Sequence, residues 1–264
     1  MARDDLLAAA ARAGFTTSSQ ATPAGPVRIL ARGLAGATQV DVYIEGDGHA
    51  WRTRTRKSAD PTPRQPLALA LALADPAPAV LYLARPCHYA SAAELAACDA
   101  RYWTAARYGT EVIGALDAAL DNALAAAAAP PRLGLVGYSG GAVIATHLAA
   151  RRDDVDWMVA VAGNLDPAAW TAHHRVSPLE EADAMLAQAA VDTVPQVILL
   201  GGADDIVPPA LVARYQAARD PAITVSEVVD DYDHRCCWVD NWPRRPCRLL
   251  GLLGIAAPAL CGAP

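Results

Sequence analysis

Short apolar runs alternate along the chain with polar, glycine- and proline-bearing stretches. The runs at 27–30, 39–44, 79–84, 133–136, 157–162, 196–200 and 223–229 are short and rich in β-branched or bulky apolar residues, and they read as strands. Ala/Leu-rich segments between them read as helices. The first, 2–13, is closed by Gly14; 67–74 is broken by Asp75-Pro76; 91–129 is mostly helical up to Pro130-Pro131. Residues 142–150 and 209–218 follow the same pattern, and a last helix is expected near Leu249. Strand and helix alternate from about residue 39 to the end, which predicts one α/β domain over 1–264 with a mostly parallel sheet. Segment 163–193 is mixed and reads as a small cap. Segment 50–66 carries Arg52, Arg54, Arg56, Lys57 and three prolines, and reads as a solvated surface loop, with substrate gating as the alternative.

Composition narrows the function classes. The chain has 264 residues and 53% hydrophobic content, enough for a large folded core. A net charge of −6 and a pI of about 5.5 give no electrostatic case for a nucleic-acid partner or an anionic membrane. No apolar run is long enough to span a bilayer, and the opening residues, with Asp4 and Asp5, lack the apolar segment of a signal peptide. No Cys/His cluster has zinc spacing, and no cofactor motif is present.

The chemistry centres on Gly137-Tyr138-Ser139-Gly140-Gly141, a G-x-S-x-G sequence between an apolar strand and a helix-like run. In that context the serine sits on a strained turn with its Oγ exposed above the sheet, and the helix N-terminus points N–H groups at the same spot. A serine nucleophile needs a base and a group that orients the base. Asp204 lies at a strand end, and His234 lies in a loop beyond the final strand. Of the other histidines, His147 falls inside the helix after Ser139 and reads as packed or surface-placed. His173 and His174 fall in the cap segment and read as exposed.

These motifs, in this order, resemble the α/β-hydrolase superfamily over about residues 27–255. The resemblance implies a mostly parallel sheet flanked by helices, and a triad in the chain order serine, acid, histidine: Ser139, Asp204, His234. In Asp204-Asp205-Ile206-Val207-Pro208 the Val and Pro follow at the family's spacing from Asp204, which favours it over Asp205; Asp166 is the lesser candidate. The resemblance also implies an oxyanion hole from the N–H groups of Gly140 and Asp47, with Gly48 as the alternative second donor. Here the chain has Glu45-Gly46 where the family often has His-Gly. More narrowly, Tyr43-Ile44-Glu45-Gly46-Asp47-Gly48, Ala84-Arg85-Pro86-Cys87 and Asp233-His234-Arg235-Cys236-Cys237-Trp238 resemble bacterial hydrolases, many of them exported.

The expected activity is cleavage of a small carboxylic ester through an acyl-enzyme, with no cofactor and no metal. Thioester or peptide cleavage is the alternative within the fold, and a catalytically silent binding protein the alternative outside enzymes. Cys87 and Cys98, eleven residues apart, are expected to form a disulfide, with two buried free thiols as the alternative; the bridge, with the resemblance, favours a periplasmic or secreted location over a cytoplasmic one. Cys236 and Cys237 are left open between packing beneath His234 and pairing with Cys247 or Cys261.

Overall fold

The structure, a computed structural model, describes residues 3–181, 193–255 and 258–262. Its strands are β1 Thr16–Gln20, β2 Val27–Arg32, β3 Gln39–Ile44, β4 Val80–Leu83, β5 Arg132–Tyr138, β6 Val155–Val161, β7 Gln196–Gly201 and β8 Thr224–Val229. They form one 8-stranded sheet in the order β1-β2-β4-β3-β5-β6-β7-β8. The β1/β2 and β2/β4 pairs are antiparallel and the remaining pairs parallel. The helices are α1 Arg3–Arg12, α2 Leu67–Ala74, α3 Ala92–Ala97, α4 Thr110–Leu124, α5 Gly140–Ala149, α6 Pro167–His174, α7 Ala213–Ala217 and α8 Arg244–Leu252.

The parallel strands are covered on both faces, which is why β4 and β7 read as unbroken apolar runs. Alternation along β3 sends Val40, Val42 and Ile44 into a core shared with Val112 and Leu116 of α4 and Val143 and Leu148 of α5. Tyr43 faces the opposite core, with Leu69 and Ala72 of α2 and Leu249 and Leu250 of α8. The chain runs outward from β3 to β4 in one direction and from β5 to β8 in the other. The crevice between the carboxyl ends of β3 and β5 is therefore the switch point, where ligands bind in open α/β sheets.

Two elements differ from the sequence expectation. Thr16–Gln20 has no apolar periodicity and is a strand only through its antiparallel pairing to β2 at the sheet edge. The helix expected over 91–129 is divided. Ser91 and Glu94 form a capping box that starts α3. The Asp99 side chain then accepts the Arg101 N–H and opens a 3-10 turn, and α4 begins only after Gly109. Of the expected cap, α6 is described, whereas 182–192 lies outside the described residues.

Cys87 is bonded to Cys98, with Cα atoms 6.5 Å apart, and Cys247 of α8 to Cys261, with Cα atoms 5.5 Å apart. Cys236 is bonded to its neighbour Cys237. No helix among the described residues is long and apolar enough to cross a membrane.

Asp41 is a charged residue type in a fully buried strand position. Its neighbour Asp75 accepts from the Tyr43 hydroxyl at 2.7 Å and from the Ala77 N–H at 2.7 Å, so Asp75 is solvated by protein donors. Burial, and then repulsion from Asp75, push the Asp41 carboxyl up to about 9. Asp41 thus holds a proton in the folded chain that it releases on unfolding at neutral pH. With a folded pKa above the unfolded value of about 4, stability falls as pH rises between the two values. We expect Asp41→Asn to raise Tm by a few degrees at about pH 8 and by little near pH 4, as read by calorimetry. An equal shift at both pH values would remove the protonated carboxyl from the account.

Candidate active site

Ser139 sits between the last residue of β5 and the first of α5 with φ 52° and ψ −120°. A positive φ on a side-chain-bearing residue costs of order 1–3 kcal/mol and persists only where its surroundings impose it. Three backbone bonds do so here. The Ser139 N–H donates to Val161 O at 3.0 Å, and Ser139 O accepts the N–H groups of Ala142 and Asn164, each at 3.1 Å. A Cβ on Gly137 would run into the backbone of Gly141 and Ala142, and one on Gly141 into the Ile44 carbonyl. Only glycine at these two positions lets α5 pack so close to β5 and β3.

Ser139, His234 and Asp204 come together although 95 and 30 residues separate the pairs. His234 Nε2 lies 3.0 Å from Ser139 Oγ, and His234 Nδ1 lies 2.8 Å from Asp204 Oδ2. The other Asp204 oxygen accepts the N–H groups of Ile206 at 2.8 Å and Val207 at 2.7 Å, which fixes its orientation at the end of β7. With the carboxylate as acceptor, the Nδ1 proton faces Asp204, and Nε2 is left to accept from the serine hydroxyl. The His234 loop is held in turn: the Tyr138 hydroxyl donates to His234 O at 3.1 Å, and Trp238 Nε1 donates to Asp233 O at 3.2 Å. The Asp233 carboxyl faces its own loop, where the Cys236 and Arg235 N–H groups hold it below the ordinary value.

The competing acids are elsewhere. Asp205 is exposed. Asp166 is buried at the N-terminus of α6, accepts the Ala169 N–H at 2.9 Å, and takes a bidentate pair from Arg214 at 2.6 and 2.7 Å. Among the histidines, His147 is buried in α5. His174 lies 2.8 Å from Ile206 O, a carbonyl that the Trp170 indole N–H also reaches at 2.8 Å.

The loop after β3 faces the serine. A Cβ on Gly46 would lie 3.3 Å from Ser139 Cβ, whereas one on Gly48 would meet Pro61 and His88 instead. Glu45 is buried beneath this loop. It accepts the Gly46 N–H at 3.0 Å and the Tyr82 hydroxyl at 3.1 Å, and burial pushes its carboxyl up to about 7. Asp47 meets three groups that sequence reading did not connect to it: Arg107 Nε at 2.8 Å, the Tyr108 hydroxyl at 2.7 Å and Arg85 at 3.2 Å. The one available signal was an arginine, Arg85, at the end of an apolar strand. Arg107 and Tyr108 sit where helix was expected, and only the break before α4 turns them toward β3.

No protein-family model matches the chain, and no curated protein matches it. Solved structures do. An α/β serine hydrolase homologue from Coxiella burnetii aligns with a TM-score of 0.53 and 14% identity, over 94% of this chain and 97% of its own. An esterase from Pyrococcus furiosus aligns with a TM-score of 0.56 and 14% identity, over 90% of each chain. The chain has the α/β-hydrolase fold. An acylaminoacyl peptidase from Pyrococcus horikoshii shares it with a TM-score of 0.57 and 11% identity, over 84% of this chain but 38% of the peptidase. In that fold Ser139 occupies the turn between β5 and α5.

Asp166 serves the packing of α6 in this hydrolase fold. Asp166→Asn is expected to cost on the order of 1–3 kcal/mol of stability by weakening the Arg214 pair and the helix cap. Hydrolytic turnover should change by less than about threefold. A thermal melt run beside a kinetic assay separates the two effects, and a large kinetic loss in folded protein would return Asp166 to the list of candidate acids.

Proposed function

We propose that the protein is a serine hydrolase that cleaves carboxylic esters through an acyl-enzyme. The observation that carries this reading is the unbroken line from Asp204 through His234 to Ser139 Oγ, with bonds of 2.8 and 3.0 Å, ending on a strained serine at a helix N-terminus. His234 Nε2 takes the hydroxyl proton as Ser139 Oγ bonds to the ester carbon. The tetrahedral oxyanion is held by the N–H groups of Gly140 and Asp47. The carbon–oxygen bond to the alcohol then breaks, and His234 returns the proton to the leaving oxygen. Water, deprotonated by the same imidazole, releases the acid and restores Ser139.

Asp47 is preferred to Gly48 as the second donor because Gly46 lies against Ser139 while Gly48 turns toward Pro61 and His88. Trp170 of α6, bonded to the Ile206 carbonyl and stacked 5.3 Å from Arg107, joins the acid loop to the oxyanion side and is proposed as a wall of the acyl pocket. The segment 163–193 is proposed to act as the cap. The Cys87–Cys98 and Cys247–Cys261 disulfides support work in an oxidising compartment, as in the periplasm or outside the cell.

A fluorophosphonate probe should label the wild type and fail to label Ser139→Ala, whose hydrolysis of nitrophenyl esters should drop at least about 10³-fold with the fold retained. Asp204→Asn should lose up to about 10⁴-fold, since the imidazole loses its tautomer and its counter-charge, while Asp205→Asn stays near wild type. Thioester and peptide substrates run beside the esters test the choice of acyl donor. An unlabelled wild type would overturn the hydrolase reading in favour of a silent binding protein.

A further inference from the structure

Two buried arginines, Arg85 and Arg107, close on the partly exposed carboxylate of Asp47 beside the Ser139 turn. Asp47, in the loop after β3, is ion-paired with Arg107, whose Nε lies 2.8 Å away, and accepts from the Tyr108 hydroxyl at 2.7 Å and from Arg85 at 3.2 Å. Arg85 and Arg107 are only 3% and 5% exposed. Arg85 also donates to the Arg107 carbonyl, and Arg107 donates to Thr104 O at 3.1 Å, so both guanidinium groups are tied to the same turn. Burial pushes the Asp47 carboxyl up, but Arg107, Arg85 and Tyr108 outweigh it and hold it below the ordinary value. The remaining neighbour, His88, is buried, and its imidazole is pushed down to about 3, so it adds no charge. The cluster therefore holds two cations against one anion.

The cluster presses on the elbow itself. A Cβ at Gly140 would fall on Asp47 Oδ1 and the Tyr108 hydroxyl. One carboxylate thus links the two backbone segments whose N–H groups are the proposed oxyanion donors. Burying such charges is expensive, and well-packed apolar residues would serve stability equally well. Preorganised donors at this point, by contrast, act on charge that develops only in the transition state.

We propose that the Asp47 carboxylate, clamped by Arg85, Arg107 and Tyr108, is a positioning residue that fixes the oxyanion loop against Gly140. The proposal rests on the serine-hydrolase reading above. It sets the turnover number and leaves ground-state binding alone. Asp47→Asn keeps the side-chain shape but removes the counter-charge that aligns both arginines. Tyr108→Phe removes one hydrogen bond and leaves every charge in place.

The test measures kcat, KM and the affinity of an alkylboronic acid, which forms a tetrahedral anion on the serine, for wild type, Asp47→Asn and Tyr108→Phe. Folding of each variant is checked by its thermal melt. We expect Asp47→Asn to lower kcat by about 10²–10³-fold, the loss seen when one oxyanion donor is removed, with KM within about threefold and the boronate weakened in step with kcat. Tyr108→Phe should move kcat and boronate affinity together by about tenfold, and it carries the test if Asp47→Asn does not fold. Variants that fold and keep kcat within twofold of a fluorophosphonate-reactive wild type would overturn the clamp while leaving the hydrolase reading intact. A kcat loss with unchanged boronate affinity would mark the cluster as structural only and equally overturn it. A wild type that neither reacts with fluorophosphonate nor turns over esters would overturn both.

Discussion

The rest of the molecule depends on the close approach of β5, α5 and β3 at Ser139. A serine at φ 52° is unfavourable alone, and its bonds to Val161, Ala142 and Asn164 hold it there. That grip requires α5 to lie against the end of β3, which only glycine at 137 and 141 permits. The same packing sends Val143 and Leu148 into the core with Val42 and Leu135. The strained turn and the apolar core are thus one constraint. Helix burial offsets the unfavourable backbone, and the backbone lifts the hydroxyl out of the core.

Strand β3 and the loop that follows it hold two carboxyls in opposite charge states. Asp41 lies in the strand, where burial and the neighbouring Asp75 push it up to about 9, and it is buried as the neutral acid. Asp47 lies just beyond the strand's carboxyl end, where Arg107 and Arg85 outweigh burial and keep it ionised. The residue type is the same, and the partners decide the charge state. Glu45 stands between them, buried but hydrogen-bonded to Gly46 and Tyr82, and raised only to about 7.

Much of the architecture was legible in the chain because it is written in local patterns. The parallel strands appear as short apolar runs, since sheets covered on both faces need no polar alternation. The G-x-S-x-G stretch appears as a strand–turn–helix junction, since its glycines answer a steric demand within a few residues. The chain order of Ser139, Asp204 and His234 was likewise visible, because each falls in a loop after a recognisable strand. β1 was not visible: Thr16-Thr17-Ser18-Ser19-Gln20 has no periodicity, and its pairing to β2 is a tertiary event.

The arginines behind the loop after β3 mark where local reading ends. The amino-acid sequence by itself determined the alternation of elements, the strained junction at Ser139 and the residues able to reach it, because these depend on neighbours in the chain. Tertiary structure alone decided that 91–129 breaks before α4, that Arg107 and Tyr108 turn back onto Asp47, and that Asp166 is taken by Arg214 while Asp204 meets His234. These choices depend on groups from 30 to 61 residues apart competing for the same buried donors and acceptors, and that competition is resolved only when the core closes around them.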